Sequence, residues 1–466
     1  MRLYLINPFN PMVSLANTQQ SRWNRYRVWK PLGLLVLAGL TGPEWEITIL
    51  DENLGLPEYE TLPRPDLVGI TAFTSQASRA YDVAKLFRDM DVPVVMGGIH
   101  ATMCKAEALE HVDSVVTGEA ESVWPALLAD HRQGTLQQVY EGGHVDMAEV
   151  PQARHDLLDT GYAFGSVQTT RGCPLDCTFC SVSSFNGKRY RHRPIENVIE
   201  EMRSIREKWV LVVDDNLIGT SKAHIRRAKD LFRAMIDARL GKKWICQVTI
   251  NMADDPELLD LAAKAGCCGV FIGFESPTPE GLAEVGKKFN LLNKRDFPAS
   301  VREFHKRRML VVGSFIMGLD ADEAGIGLQI AKTADAYGVD ILNALFLTPL
   351  PGTRLWDSLD EQGRIAASDF PDDWKYFTLG FPTARYRRLT HSAIIREMKT
   401  CENWFYSRTQ IARRAIRSLV YRQRLVLNLV SNLSYRKNAR LTHAMYDSLS
   451  ECPSVPAGLR PATQGA

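Results

Sequence analysis

The stretch RGCPLDCTFCSV, from Arg171 to Val182, places Cys173, Cys177 and Cys180 in the spacing CxxxCxxC. Closely spaced thiolates are the ligands by which proteins hold iron–sulfur clusters or zinc. Structural zinc sites usually take four ligands, often from two paired-cysteine knuckles, and this chain has no second run of that kind. Three thiolates suit a cluster of four irons in which one iron stays open to another ligand. The alternative is three buried core cysteines, a common use of free cysteine.

The spacing resembles the cluster motif of the radical SAM superfamily. The resemblance implies a [4Fe-4S] cluster whose open iron binds S-adenosyl-L-methionine (SAM). It further implies that one electron from the cluster cleaves SAM to a 5′-deoxyadenosyl radical, chemistry that belongs to the cofactor. An electron donor such as flavodoxin or ferredoxin is implied as well. The remaining cysteines form no further cluster run, so we expect a single cluster.

The composition is that of an ordinary globular protein. The chain has 466 residues, of which 45% are hydrophobic and 24% charged, and this length predicts about two to four domains. A net charge of +2 gives no argument for nucleic acid, and nine irregularly spaced cysteines predict no disulfide framework. The N-terminus has no signal-peptide layout. No apolar run approaches the roughly 20 residues that span a bilayer. We therefore expect a cytoplasmic protein.

Residues 1–140 alternate short apolar runs with amphipathic ones. Such alternation predicts a parallel, doubly wound α/β domain of the Rossmann-like kind, in which ligands bind beyond the carboxyl ends of the strands. A polar connector containing Pro151 follows and predicts a linker over residues 141–165. The predicted strands are Arg2–Asn7, Glu46–Asp51, Asp66–Phe73, Val92–Gly98 and Ser114–Gly118, and the helices between them are Pro31–Leu40, Ala77–Met90, Ala101–Glu110 and Ala120–His131.

This first domain resembles the cobalamin-binding domain that precedes the barrel in one large radical SAM subgroup. The likeness rests on Asn7-Pro8, PLGL at 31–34, Leu50-Asp51, GGIHAT at 97–102 and TGEAE at 117–121. The DxHxxG motif is absent, so we expect no histidine below the cobalt. His100 has two interpretations, a capping residue of the loop or a residue at the corrin edge. The cobalamin contacts that the resemblance implies are Asn7, Thr74, Ser75, Gly97, Gly98, His100, Gly118 and Glu119.

Residues 166–365 again alternate β and α patterns, and the resemblance implies a partial (β/α)6 barrel of the TIM type. Chemistry in such barrels lies at the carboxyl ends of the strands. The predicted strands are Ser166–Thr170, Trp209–Asp214, Trp244–Ile250, Gly269–Glu275, Met309–Met317 and Asp340–Thr348.

Candidate SAM contacts follow from those strand ends and from the resemblance. Asp214 and Asp215 replace the usual Gly-Gly-Glu and otherwise form a helix-capping cluster. Glu275 closes the apolar run GVFIGFE, where an unpaired carboxylate is costly to bury. Phe179, between two cluster cysteines, shields the cluster or simply packs. The full set of predicted SAM contacts is Phe179, Asp214, Asp215, Gln247, Glu275 and Ser314.

Two basic segments remain. Residues 188–193, KRYRHR, form either a solvated loop or a site for an anion. Residues 366–466 predict a mostly helical region, in which 14 Lys and Arg face two acidic residues between Arg385 and Arg440. Its amphipathic helices either cap the mouth of the barrel or contact a membrane surface peripherally. Its small, polar end, Pro453–Ala466, predicts a disordered tail.

The resemblance implies a cobalamin-dependent radical SAM enzyme, a C-methyltransferase that acts on an unactivated carbon of a small-molecule natural product, lipid or tetrapyrrole. In that scheme cobalamin delivers the methyl group and a second SAM recharges it. The same architecture also serves cyclisation, rearrangement or oxidation without methyl transfer. A non-catalytic cobalamin or iron–sulfur sensor is the interpretation from another class.

Overall fold

A computed structural model of the chain describes residues 1–12, 29–158, 161–287, 290, 295–422 and 424–451. The contacts divide the chain into two compact units. The first consists of Met1–Gly172, Ser181–Leu211 and Phe370–Thr378, and the second of Cys173–Cys180, Val212–Asp369 and Leu379–Ala466. The boundaries that we expect from the sequence stay a prediction. The contact pattern adds that residues 370–378, far along the chain, group with the first unit.

The first unit contains a parallel six-stranded sheet in the order β2-β1-β3-β4-β5-β6. The order reverses between β1 and β3, and such a switch point opens a crevice for ligands at the carboxyl ends of the strands. Its strands are β1 Arg2–Asn7, β2 Glu46–Asp51, β3 Leu67–Thr71, β4 Val94–Gly97, β5 Ser114–Thr117 and β6 Val139–Glu141. Its helices are α1 Leu32–Leu40, α2 Ala77–Arg88, α3 Ile99–Met103, α4 Lys105–His111 and α5 Trp124–Gln133.

The core of this sheet explains its short, apolar strands. Leu3 and Leu5 of β1 and Leu67 of β3 are fully buried, together with Trp124 and Leu127 of α5. Strands covered by helices on both faces carry continuous apolar runs rather than alternating ones. The side chains of the strands are therefore buried, and polar residues and glycines lie at the carboxyl ends of the strands.

The second six-stranded sheet has the order β14-β13-β12-β11-β10-β7, and β11 to β14 pair in parallel. A separate antiparallel ribbon pairs β8 Thr170–Arg171 with β9 Arg191–His192. The sheet strands are β7 Phe164–Val167, β10 Trp209–Val212, β11 Lys243–Gln247, β12 Cys267–Glu275, β13 Leu310–Met317 and β14 Ile341–Phe346. The helices are α6 Ser181–Phe185, α7 Ile195–Ser204, α8 Lys222–Asp237, α9 Pro256–Lys264, α10 Pro279–Glu284, α11 Phe297–Lys306, α12 Ile326–Tyr337 and α13 Arg354–Glu361.

Three C-terminal helices complete the second unit: α14 His391–Phe405, α15 Arg408–Val420 and α16 Leu425–Glu451. They pack along the edge strand β14 and along α12. Asn432 of α16 donates to Asp340 O, 3.1 Å away, just before β14, and Tyr446 packs on Phe346 at its far end. The helices thus cover a sheet edge, and the capping of the barrel mouth stays a prediction.

The α/β fold class with helical C-terminal region is confirmed. The antiparallel ribbon and β6 were missed, since each has only two or three residues. The predicted helix Ala101–Glu110 consists of two helices, α3 and α4, separated at Cys104. The predicted disordered tail, Pro453–Ala466, lies outside the described residues. Among the described residues, no helix combines the length and apolarity needed to cross a bilayer.

Candidate active site

The cysteine loop is held in the second unit by backbone hydrogen bonds. Thr178 N donates to Val285 O at 3.2 Å, and Leu355 N donates to Thr178 O at 3.0 Å. Gly286 has φ +71°, and a Cβ atom there would lie only 2.9 Å from Asp176 O. Glycine is therefore needed for both the backbone angle and the close approach. The loop is fixed between the segment after α10 and the start of α13.

The three thiols of the loop lie close enough to influence one another electrostatically. Burial, opposed by Lys287 and reinforced by Glu275 and Cys180, raises the pKa of Cys177 to about 11. Burial also raises the pKa of Cys173, which lies near Cys177. Among the described residues, no three His, Cys, Asp or Glu side chains converge on a single ion. Cluster ligands bind different irons and need not converge on one point.

A buried ion pair stands beside these thiols. Lys287 Nζ lies 2.8 Å from Glu275 Oε1, and the two side chains are only 10% and 7% exposed. Burial alone would lower the pKa of Lys287, but Glu275, Cys177 and Cys180 raise it above its ordinary value. Lys287 was missed in the sequence. The signal was present, because a carboxylate that closes a buried strand needs a cation.

Glu275 also has an unusual backbone. Its φ is +67°, the left-handed region that side-chain-bearing residues rarely adopt. The register between β12 and β13 shifts between Gly273 and Glu275, as in a β-bulge. Bulges and strained residues collect at functional sites, where they redirect a side chain. The bulge directs the Glu275 carboxylate to Lys287.

The end of β10 carries a buried amide with no hydrogen-bond partner among the described residues. Asn216 is 2% exposed, and neither its Nδ2 nor its Oδ1 is paired. Asp214 is fully buried and near Cys246, and Asp215 is near Cys173. Buried amides are nearly always satisfied. Asn216 is therefore a candidate ligand contact, whose orphaned state the sequence could not reveal.

The other predicted SAM contacts lie in the cysteine loop and on two strands of the second unit. Phe179 packs on the apolar cluster of Val285, Ile316, Leu319 and Leu347. Ser314 is buried in β13, and Gln247 closes β11 with an exposed side chain and accepts from Leu217 N through its carbonyl, at 3.0 Å.

The turn after β13 is held by two carboxylates. Asp322 accepts from Gly318 N at 2.8 Å and Leu319 N at 3.0 Å, and Glu284 accepts from Asp320 N at 2.8 Å. Burial raises the pKa of Asp322 to about 6. Asp322 thus shapes a turn beside the strand that carries Ser314.

The carboxyl edge of the first sheet gathers the residues that we predict to contact cobalamin. Asn7 Nδ2 donates to Asp51 Oδ1 at 3.0 Å, and Gln76 Nε2 donates to Asn7 Oδ1 at 3.2 Å. Thr74 and Ser75 form a buried 3₁₀ turn next to Gln76. Asn7 and this turn follow β1 and β3, the two strands of the switch point.

Glycines line the same edge after β4 and β5. Gly98 has φ +91°, and a Cβ atom there would lie 2.8 Å from Thr71 Oγ1. A Cβ atom on Gly118, with φ +67°, would lie 2.3 Å from Gly142 O. Gly97 differs, because a Cβ atom would meet Val116 at an ordinary 3.6 Å. Two of the three glycines are thus required by the fold itself.

His100 is fully buried in a polar network. Its Nε2 lies 2.9 Å from Tyr81 Oη and 3.2 Å from Glu107 Oε1. Trp374 Nε1 donates to the same Glu107 oxygen at 2.9 Å, and this contact attaches residues 370–378 to the first unit. The Nδ1 atom of His100 has no hydrogen-bond partner among the described residues.

Phe73 was missed in the sequence as a candidate contact. It follows β3 directly at the switch point and is 67% exposed. Large aromatic rings in contact with water lose the burial that stabilises them elsewhere. Its place between Ala72 and the buried Thr74 turn makes it a candidate to cover a flat ligand.

Glu119 binds both flanks of the cysteine loop. Its carboxylate pairs with Arg191 (Oε2–Nη1 2.9 Å) and with Arg171 (Oε2–Nη1 3.2 Å), and its side chain is 2% exposed. The two arginines are directly opposite in the ribbon of β8 and β9. Like charges in that arrangement repel, so the carboxylate stabilises the ribbon. Burial would raise the pKa of Glu119, but Arg191, Val145 N and Arg171 lower it to about 2.

Two family models match the chain: the radical SAM superfamily over residues 167–323 and the B12 binding domain over residues 24–128. The bacteriochlorophyllide d C-12(1)-methyltransferase of Chlorobaculum tepidum is 30% identical over 367 residues, which are 74% of this chain and 77% of that protein. The chain belongs to the cobalamin-dependent radical SAM methyltransferase family.

Two further relatives illustrate the range of the family. The hopanoid C-2 methylase of Rhodopseudomonas palustris is 29% identical over 349 residues, 73% of this chain and 66% of that protein. The radical SAM methyltransferase TsrM of Kitasatospora setae superposes with a TM-score of 0.67 at 18% identity, over 94% of this chain and 99% of that one. This last likeness concerns the fold alone.

The cofactors of this radical SAM enzyme are a [4Fe-4S] cluster, SAM and cobalamin. The residues present fit these groups. Three thiols in one fixed loop match the three cluster ligands that we predict, and the buried Lys287 and the orphaned Asn216 are polar groups of the kind that can bind SAM. At the other sheet, the switch point and the exposed Phe73 fit a flat macrocycle. The individual contacts that we predict to either cofactor stay predictions.

Proposed function

We propose that this enzyme methylates an unactivated carbon of an apolar, polycyclic small molecule of the tetrapyrrole or hopanoid kind. The observation that carries the proposal is the pair of relatives, since one methylates a bacteriochlorophyllide and the other a hopanoid. Both substrates are large, rigid and mostly apolar. The protein's part in such a reaction is to hold the reactants in register and to exclude water.

Within the second unit, we assign Cys173, Cys177 and Cys180 as cluster ligands. When bound, the cluster, SAM and cobalamin supply the radical and methyl-transfer chemistry. The Lys287 ammonium suits the carboxylate of SAM because it is a buried cation beside the thiols of Cys177 and Cys180. The Asn216 amide offers a donor and an acceptor to the same ligand. Both groups orient SAM without changing protonation: Lys287 stays charged and Asn216 stays neutral.

Within the first unit, Phe73 and the turn of Thr74 and Ser75 support one face of the corrin ring. The loops after β4 and β5 project little beyond the sheet edge because they carry no side chain at Gly97, Gly98 and Gly118. His100 is fully buried, and its Nε2 is held by Tyr81 and Glu107. We therefore do not assign it as a cobalt ligand.

Two partners belong to this proposal. Reduction of the cluster calls for a small electron donor such as flavodoxin or ferredoxin. The basic C-terminal helices α14–α16 make peripheral contact with a membrane, where apolar substrates of this kind reside.

The test uses anaerobically purified protein loaded with iron, sulfide and cobalamin, with a chemical reductant and SAM carrying a deuterated methyl group. Bacteriochlorophyllide and hopanoid substrates are supplied separately. The proposal expects S-adenosylhomocysteine, 5′-deoxyadenosine and a product that carries the label on carbon. Cys177→Ala is the inactive control. Deoxyadenosine formed with altered substrate but without S-adenosylhomocysteine contradicts methyl transfer and favours cyclisation, rearrangement or oxidation.

A further inference from the structure

The C-terminal helices expose an apolar surface. Ile416, Leu419 and Val420 of α15 are 62%, 59% and 73% exposed. On α16, Val426, Leu429 and Leu433 are 75%, 38% and 50% exposed. The spacings i, i+3, i+4 and i, i+3, i+7 place each trio on one side of its helix. The two helices pack against each other, and we call these six side chains the C-terminal apolar face.

The opposite sides of the same helices are polar and firmly bound. Arg414 and Ser418 of α15, with Asn428 and Asn432 of α16, are at most 1% exposed. Asn428 Nδ2 donates to Ser418 Oγ at 2.8 Å, and Asn432 Oδ1 accepts from Arg414 Nη2 at 2.8 Å.

This arrangement inverts the ordinary pattern of a water-exposed helix, whose apolar side faces the core. Contiguous exposed apolar patches usually mark an interaction site. Because the C-terminal apolar face is exposed although its helices are firmly anchored, we infer that another molecule covers it.

The charge around this face selects the kind of partner. Residues 403–446 contain nine Lys and Arg and no Asp or Glu. Arg413, Arg422, Lys437 and Arg440 are exposed among them. A second copy of the chain would bring the same positive surface against itself in a two-fold contact, and like charges oppose that association. A partner with an apolar interior and an anionic surface matches both the exposed apolar side chains and the positive charge around them.

We propose that the C-terminal apolar face docks the protein on an anionic lipid bilayer, with the six apolar side chains inserted at the headgroup boundary. Interfacial helices bind membranes by such insertion, and nearby Lys and Arg add attraction to anionic lipids. Arg422, two residues after Val420, and Lys437, four residues after Leu433, are exposed, and in this proposal they face the headgroups. This inference names the residues behind the membrane contact proposed above and does not depend on the substrate or on methyl transfer.

The docking surface is separate from the chemistry. The helices are anchored at Asp340, which directly precedes β14, and Arg417 Nη2 donates to Val339 O there at 2.9 Å. This is the amino end of the strand, whereas Glu275, Asn216 and the turn after β13 follow the carboxyl ends of theirs. Changes to the apolar face are therefore expected to leave SAM cleavage intact.

The experiment is sedimentation of the cofactor-loaded full chain with vesicles of phosphatidylcholine alone or mixed with phosphatidylglycerol. We expect binding to the anionic vesicles, weakened by high salt. The double variant Leu419→Ser/Val426→Ser and the triple variant Arg413→Glu/Arg422→Glu/Lys437→Glu should each reduce the bound fraction by about tenfold or more. SAM cleavage to 5′-deoxyadenosine is measured for every variant and should stay at the wild-type rate.

The matched controls lie on other exposed surfaces. Leu56→Ser removes an apolar side chain that is 61% exposed, and Lys222→Glu/Arg226→Glu/Arg302→Glu makes the same charge change on α8 and α11. Both should bind vesicles like the wild type. Equal binding of wild type and both test variants overturns the proposal, as does equal binding to neutral vesicles. A dimer in solution that Leu419→Ser/Val426→Ser dissociates overturns it in favour of a second copy of the chain.

Discussion

Lys287 Nζ lies 2.8 Å from Glu275 Oε1, in a buried pair beside Cys177 and Cys180, which we assign as cluster ligands. A lone buried ion pair is a poor source of stability, because desolvation offsets most of the attraction. Its position beside a candidate cofactor site is better explained by a role in binding the cofactor. The pair presents an ammonium with remaining donor capacity where the carboxylate of SAM is expected.

Lys287→Ala should weaken SAM binding by about tenfold to a hundredfold, the usual contribution of a charge-assisted hydrogen bond. Lys287→Arg keeps the charge and should lose less. Cluster content, measured as iron and sulfide per chain, should stay unchanged in both. The pKa of Lys287 is raised, so its charge and the stability it contributes persist throughout the neutral range and decline only above pH 10. Unchanged SAM affinity in Lys287→Ala would show that the pair is structural.

Asn216→Leu distinguishes a ligand contact from a structural amide. The Asn216 amide is buried without a hydrogen-bond partner among the described residues, so replacing it with an apolar side chain removes a desolvation cost. We expect unchanged or higher thermal stability in the absence of SAM, together with about tenfold weaker SAM binding. Lower stability with unchanged SAM affinity would contradict this role.

Glu119→Gln should destabilise the ribbon of β8 and β9, since it removes the charge that pairs with both opposed arginines, although Arg171 keeps its pair with Glu121. The expected loss is about 3 kcal/mol, the cost of removing one partner of a buried ion pair. Thermal unfolding of the first unit measures it. Glu46→Gln, in an exposed pair with Arg2 where the Glu46 side chain is 68% exposed, is the control and should change stability little.

The pH dependence of Glu119 has a defined sign. Its pKa falls from 4.5 to about 2 in the folded protein. A lowered carboxyl pKa stabilises the fold fully above pH 4.5, and this contribution disappears as the pH falls towards 2. The difference in stability between wild type and Glu119→Gln should therefore shrink across that window. A constant difference from pH 6 to pH 3 would contradict the pairing.

Asp340→Asn tests the anchor of the C-terminal helices. Asp340 is fully buried and accepts from Val311 N at 2.9 Å and Asn428 Nδ2 at 3.2 Å, with His305 Nε2 at 2.9 Å. Loss of its charge should cost about 3 kcal/mol of stability. SAM cleavage per bound cluster should persist, because the site lies at the amino end of β14. The exposed Asp357→Asn on α13 is the control, and a loss of cleavage without a loss of stability would contradict the assignment.

Much of the fold could be predicted from local sequence patterns. The alternation of apolar and amphipathic runs identified both sheets, and the cysteine spacing identified the loop between them, because each pattern depends on residues close in sequence. The pairing of Glu119 with Arg171 and Arg191 could not be predicted, since it joins residues about 50 and 70 positions apart through a two-residue ribbon. Lys287 and Asn216 were missed for the same reason: only tertiary packing makes one paired and the other orphaned. Helices α15 and α16 show that a periodic pattern predicts which side of a helix is apolar, but not whether that side faces the core or the solvent.

The most direct test of the central claim is the absorption spectrum and iron content of the chain purified without oxygen from cells grown with cobalamin. The account predicts one corrin and one four-iron cluster per chain. It predicts that Cys177→Ala keeps the corrin band and loses the cluster, since the two groups are held by different sheets. A wild-type protein without the corrin band, or a Cys177→Ala protein that retains the cluster and cleaves SAM, would contradict it.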